Sequence, residues 1–332
     1  MKYVQLLGDS QIAVQERPRP SPKRGEVLIQ TVVSALCGSE MKSYRTIGYD
    51  AGNVGHEAAG IVAELGQGVT TLQIGQRVGV STIAGCGACE YCHKGQYTWC
   101  DDHKFYDNMH AEYFVAAALA CHVLPDDVSW DVGVLITGDG MGVPYHTSRK
   151  IAADDIEHVA GFGLGPVGLG HVLMQKYLGR RVIGIDRSST RLQLARELGA
   201  ASIIAVEENS DVAFQIRVLT QGRGADVCIE AAGVPATVHY CFDSVRKGGI
   251  VVFNGEQGAL ELSPSSDFIR RDITAVGSWF YHFHEYKAML DLFRRGLPVA
   301  SLITHRLPLA QAADAYRAME GESGKVLLTY SQ

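Results

Sequence analysis

The chain has little of what would place it in a membrane or on nucleic acid. Across its 332 residues no apolar run approaches membrane-spanning length. The opening stretch MKYVQLLGDSQIAVQERPRP has no apolar core of a secretory leader. Basic residues are not in excess: 30 Lys and Arg face 36 Asp and Glu, a net charge of −6 with no basic run, so no nucleic-acid partner is expected. Internal repeats and low-complexity linkers are absent. With 46% hydrophobic and 20% charged residues, the composition is that of a soluble globular protein, long enough for two domains with separate cores.

Cysteine is not lacking. Four of the eight stand as C-x2-C-x2-C-x7-C at Cys86, Cys89, Cys92 and Cys100. Four thiolates within one short loop can close a tetrahedral shell around a single zinc ion, leaving no open position, so the expected role is structural. Gly85, Gly87 and Gly95 permit the tight turns. The alternative is two disulfides or unrelated thiols, which this regular spacing disfavours. Metal-holding thiols suit a reducing compartment, so the cytoplasm is the expected location. Cys121, Cys228 and Cys241 lie in apolar surroundings and read as small buried residues.

The first part of the chain, to about residue 146, reads as short β segments broken by glycine: GEVLIQTVVSALCG, AAGIVAELGQGV and QRVGVSTI. From about residue 151 strands and helices alternate, beginning with HVAGFG, which predicts a parallel sheet covered on both faces. In the last helical stretch Tyr286, Met289, Leu290 and Phe293 recur at helical spacing and form an expected core stripe. The tail from about Leu302 becomes extended again and is expected to return to the first domain.

Gly163, Gly165 and Gly168 form a GxGxxG motif between a strand and a helix. Gly163 turns the chain, Gly165 allows close approach of a pyrophosphate, and Gly168 lets the helix pack on the strand. Pro166 and Val167 open the helix, whose free N–H groups would face the phosphates. Asp186 ends the next strand, eighteen residues after Gly168, where a carboxylate favours the ribose hydroxyls of NAD over the 2′-phosphate of NADP. Arg187 follows directly and softens that preference, and Arg191 completes the expected cofactor-binding set.

Cys37, His56, Glu57 and Asp139 are competent zinc ligands from separate segments, and three of them would leave a fourth position open. Each alone has a bland explanation, as a core thiol, a satisfied histidine or a turn aspartate. Together with CGS, GHEAAG, AEYFV, GFGLGPVG, LARELGA, GADVCIEAAG and KGGIVVFNG, in that order, they decide the matter. The chain resembles the medium-chain, zinc-dependent alcohol dehydrogenase family over nearly its whole length, especially the polyol (sorbitol) and threonine dehydrogenase branches.

That resemblance implies an α/β protein: a GroES-like β-barrel catalytic domain from residues 1–146 and 285–332, and a doubly wound Rossmann NAD-binding domain over 147–284. It implies Cys37 and His56 as catalytic zinc ligands, Glu57 as a neighbouring, exchanging one, and Asp139 as the third ligand. Asp139 stands seven residues before His146, the family's spacing, although TGDGMG is not its usual local sequence. Ser39 resembles the start of the family's proton relay. The family often has a histidine five residues after the cysteine ligand; here Lys42 stands there, and lysine is a poor proton acceptor at neutral pH. The implied cofactors are NAD and two zinc ions per chain, one catalytic and one structural. The implied reaction oxidises a secondary alcohol of a small polar substrate, such as a polyol, sugar derivative, aminocyclitol or 3-hydroxy amino acid. A homodimer or homotetramer is expected by the same analogy. A zinc-free NADPH-dependent enone or quinone reductase and a non-catalytic NAD- or zinc-binding relative are the competing expectations. Tyr44, Arg45, Tyr281, His282 and His284 are open between substrate-facing and surface positions.

Overall fold

The stretch GEVLIQTVVSALCG forms one ten-residue strand, Glu26–Ala35, as its β-branched residues favour. In the computed structural model, which describes residues 1–153, 155–321 and 323–331, this strand lies inside a seven-stranded sheet. The order is Ile303–Pro308, Lys325–Thr329, Glu26–Ala35, Ala58–Leu65, Arg77–Val80, Cys121–Val123, with Tyr113–Ala117 also paired to Glu26–Ala35. The tail therefore returns to the first strands, pairing Leu328 with Ser34. Val27, Ile29, Ala58, Val62, Val78, Val80 and Phe114 bury one core against this sheet. Among the described residues no helix is long and apolar enough to cross a membrane.

The second unit holds six parallel strands in the order Ser202–Ala205, Arg181–Asp186, His158–Phe162, Ala225–Glu230, Val245–Phe253, Thr274–Gly277. Numbered along the chain this is 3-2-1-4-5-6, the arrangement of dinucleotide-binding sheets. Alternate residues of the same strands enter two different apolar clusters. Ala160, Phe162, Cys228 and Val251 share one, while Val159, Val227, Ile229 and Val252 share the other. Side chains alternate across a strand, so the sheet is covered on both faces. Cys228 and Cys241 sit within the first cluster, fully buried.

The chain divides into Met1–Gly142 with Tyr281–Gln332, and Val143–Phe280. Both divisions fall four residues before those read from the sequence. The reason at the second is that Tyr281 and His282 are packed into the first unit: the Tyr281 hydroxyl donates to Thr137 O at 2.5 Å and His282 Nδ1 lies 2.8 Å from Thr98 Oγ1.

Beyond the end of strand Glu26–Ala35 the first unit buries a polar network. Ser34, Glu40 and His110 are all 0% exposed. One Glu40 oxygen accepts from Cys37 N at 2.9 Å; the other accepts from His110 Nε2 at 2.9 Å and Tyr316 OH at 2.7 Å. Ser34 Oγ lies 2.8 Å from both His110 Nδ1 and Tyr330 OH. Such a network is stable only when every member is satisfied, and here it fixes the turn that carries Cys37. Burial alone would raise the Glu40 pKa, but attraction and hydrogen bonding to His110, with help from His56 and Tyr316, pull it down to about 2. A carboxyl held below its ordinary 4.5 contributes stability above that pH and loses it as pH falls toward 2. In urea unfolding of metal-free protein, the wild type should lose up to about 3 kcal/mol across this window that Glu40→Gln does not lose. Parallel pH curves for the two proteins would contradict the network's role.

Candidate functional site

Three segments of the first unit bring the expected ligands together. Cys37 follows the buried strand Glu26–Ala35 and precedes the short helical turn Gly38–Glu40. His56 and Glu57 immediately precede strand Ala58–Leu65, and Asp139 is the first residue of helix Asp139–Lys150. Donor atoms of Cys37, His56, Glu57 and Asp139 all lie within 4.8 Å of one another. Asp139 Oδ2 is 3.3 Å from Cys37 Sγ and 3.1 Å from His56 Nε2. Tetrahedral zinc would set these separations at about 3.3 to 3.5 Å.

The chemistry of the contacts is as informative as their length. His56 Nδ1 lies 2.9 Å from Val54 O, and a carbonyl only accepts, so Nδ1 carries a proton and Nε2 is the nitrogen turned toward Asp139. Nε2 faces a carboxylate oxygen. A proton on Nε2 bridges the two in the absence of metal, and a metal ion would take that proton's place. Burial would lower the His56 pKa, yet hydrogen bonds with Asp139 and Cys37 and their charges raise it well above its ordinary value. The other Asp139 oxygen, Oδ1, is buried without a hydrogen-bond partner. The cluster thus fits a metal ion in all its parts: mixed S, N and O donors, ligand atoms converging, one oxygen spare.

Glu57 is placed differently. Its Oε1 forms an ion pair with Lys325 Nζ, and both side chains are 0% exposed. Its Oε2 accepts weakly from Gly140 N at 3.4 Å. The unusual TGDGMG stretch now has a physical reason. A Cβ on Gly138 would stand 2.6 Å from Glu57 Oε2, and one on Gly142 would stand 2.2 Å from the Tyr281 ring. One on Gly140 would be 3.2 Å from Lys325 Cε. The glycines let the start of the helix close onto Glu57, Lys325 and Tyr281, with the short Asp139 side chain at its first turn.

The four-cysteine loop is also assembled. Its sulfurs lie within 4.8 Å of one another, and Cys86 Sγ is 3.9 Å from Cys92 Sγ, against about 3.8 Å expected around tetrahedral zinc. All eight cysteines are free thiols, which removes the disulfide alternative. Gly87 and Gly95 have φ of +79° and +66°, and a Cβ on Gly85 would stand 2.2 Å from Cys92 Sγ. The lobe packs on the segment after residue 280: Tyr97 stacks on Phe283 with ring centres 5.0 Å apart, and Trp99 meets His282 edge-on at 4.5 Å.

Other expected residues are less engaged. Ser39 and Lys42 are exposed on the turn and short helix after Cys37, outside the four-residue cluster. Tyr44, Tyr281 and His282, open between substrate and surface in the sequence, are buried at 3%, 1% and 3%. Arg45 is exposed and paired with Glu320, and His284 is exposed. Lys325 and the Glu40–His110 network were not singled out from the sequence. A lone lysine in GKVLL and a glutamate in CGSE carry no local signal of a buried partner.

In the second unit Gly163 has φ of +86°, and a Cβ on Gly168 would stand 1.8 Å from Gly163 O. Around the Gly165 position there is nothing within 4 Å of an added Cβ, so the loop leaves that side open. Helix Pro166–Tyr177 begins there, with Val167 half-buried. Asp186 does more than the sequence showed. Its carboxylate accepts from Leu164 N at 2.6 Å, Arg187 N at 2.7 Å and Ser188 N at 2.8 Å, tying the glycine loop to the strand end. About four acceptor positions exist on a carboxylate, so one remains. Arg187 is exposed, and Arg191 is half-buried with its N–H on the Ser188 cap.

Residues 166–295 match the family described as zinc-binding dehydrogenase, and residues 23–126 match the alcohol dehydrogenase GroES-like domain. The chain is 32% identical to the uncharacterized zinc-type alcohol dehydrogenase-like protein YphC of Escherichia coli, over 98% of this chain and 97% of that one. It is likewise 32% identical to the sorbitol dehydrogenase of Halalkalibacterium halodurans, covering 97% and 96%. Among solved structures, galactitol-1-phosphate dehydrogenase from Escherichia coli superposes with a TM-score of 0.85 at 28% identity, covering 99% and 100%. With sequence likeness extending from end to end and the same two-part architecture, the chain belongs to the zinc-type alcohol dehydrogenases, a family of oxidoreductases.

Proposed function

We propose that this chain oxidises a secondary alcohol of a small polar molecule to a ketone, with NAD as hydride acceptor and zinc held by Cys37, His56 and Asp139. One observation carries the reading: Cys37 Sγ, His56 Nε2 and Asp139 Oδ2 converge at the separations tetrahedral zinc would set. Three protein ligands leave one position for an alcohol. A zinc-free reductase would leave that convergence without purpose.

When bound, zinc supplies a Lewis acid that lowers the pKa of a hydroxyl, and NAD supplies the hydride acceptor. The chain's own residues do the rest. Val54 O holds the His56 ring in the ligating tautomer, and Glu40 holds the backbone at Cys37. The amides at the start of helix Pro166–Tyr177 would receive the cofactor's pyrophosphate, with Gly165 leaving room for it. The remaining acceptor position on Asp186 would take a ribose hydroxyl. Ser39 and Lys42, exposed one turn beyond Cys37, are the side chains available to pass a proton to water or to touch substrate. A polyol or sugar derivative is the favoured substrate class, because relatives named sorbitol dehydrogenase and galactitol-1-phosphate dehydrogenase match the chain along its length. The four-cysteine loop would hold a second, structural zinc.

Mixed with NAD and a panel of polyols, cyclitols, amino sugars and 3-hydroxy amino acids, the protein should form NADH on at least one class. A chelator should stop the reaction, and turnover undiminished after metal removal would contradict the reading. Elemental analysis should find about two zinc ions per chain in the wild type and about one in Asp139→Asn, whose cysteine loop stays loaded. Full zinc content and full turnover in that variant would remove Asp139 from the site. Asp186→Ser should shift preference from NAD toward NADP and lower the melting temperature, since three loop amides lose their acceptor. An unchanged cofactor ratio would sink the assignment of Asp186.

A further inference from the structure

Lys325 is the first residue of strand Lys325–Thr329, and its side chain is 0% exposed. A lysine without any contact with water needs partners for its charge. It has two. Nζ donates to Leu36 O at 3.2 Å, the carbonyl just before Cys37, and it pairs with Glu57 Oε1, the residue just after His56. A carbonyl and a carboxylate thus compensate the buried ammonium. Glu57 stands within 4.8 Å of the same Cys37, His56 and Asp139 atoms that would hold the metal. It is therefore a fourth ligand in reach, and something must keep it from closing the shell.

Resting on the metal reading given above, we propose that Lys325 is the positioning residue that holds the Glu57 carboxylate back from the ion. The fourth coordination position is thereby left to an external ligand. The charges agree. A thiolate at Cys37 and a carboxylate at Asp139 neutralise a divalent ion, while Glu57 and Lys325 neutralise each other. With Lys325 gone, Glu57 becomes an unpaired buried carboxylate beside a divalent cation, and binding that ion is its nearest compensation. The main-chain N–H of Gly140 on Glu57 Oε2 is long, at 3.4 Å, and leaves Lys325 as the principal restraint. The missing Cβ at Gly138 gives the carboxylate room.

The test uses the full chain loaded with cobalt(II), with imidazole as the probe of an open position. The closed four-thiolate loop does not take imidazole, so any imidazole-dependent change in the visible bands reports the Cys37–His56–Asp139 site. The wild type should respond. Lys325→Met should load cobalt but need about tenfold more imidazole, and Lys325→Met/Glu57→Gln should return to within about threefold of wild type. A metal-loaded Lys325→Met that binds imidazole like the wild type overturns the proposal, as does a double variant that shows no recovery. Lack of any response in the wild type overturns the metal reading itself. Should Lys325→Met not fold, Glu57→Gln alone decides: cobalt affinity within about threefold of wild type is expected. A loss of about tenfold or more would make Glu57 a resting ligand and overturn the proposal.

Discussion

The first unit is organised by one electrostatic constraint: three groups able to ligate a metal meet from distant parts of the chain, where shared protons or a metal ion must balance them. Cys37, His56 and Asp139 span more than a hundred residues, yet Asp139 Oδ2 lies within 3.3 Å of both other donors. Holding such groups together without a counter-charge is costly in a buried setting. The surrounding structure meets that cost by fixing each donor separately. Glu40 binds the Cys37 amide, Val54 O orients His56, and a glycine-rich helix start brings in Asp139. Lys325 and Glu57 add a neutral pair beside the cluster.

The second unit solves a different problem with similar economy of residue type. Its strand-to-helix loop needs close contact between backbone atoms, which Gly168 permits, and a left-handed turn, which Gly163 supplies. Asp186 then fastens the loop with three backbone amides. The carboxylate that would read a ribose is thus also the one that shapes the place where a ribose would lie.

What the sequence disclosed, and what it hid, follows from the range of the interactions. The cysteine loop and GxGxxG were legible because the ligands and the turn residues sit within a few positions of each other, so spacing carries the geometry. The strands and the parallel sheet were legible through alternation and β-branched content. Asp139 was legible only through its spacing to His146, since its own surroundings read as a turn between glycines; the structure makes it the first residue of a helix. Lys325 and the Glu40–His110–Tyr316 network stayed hidden because their partners are 70 to 289 residues away. Tyr281 and His282, polar-tipped and next to an expected boundary, were open between substrate-facing and surface positions. Packing against Gly142, Thr137, Thr98 and Trp99 buries them instead.

The most direct test is crystallographic. Anomalous difference maps collected on either side of the zinc absorption edge, from crystals of the zinc-loaded protein, should show a peak about 2.0 to 2.3 Å from Cys37 Sγ, His56 Nε2 and Asp139 Oδ2. A protein that carries zinc in its cysteine loop but shows no peak among those three atoms would contradict the account at its centre.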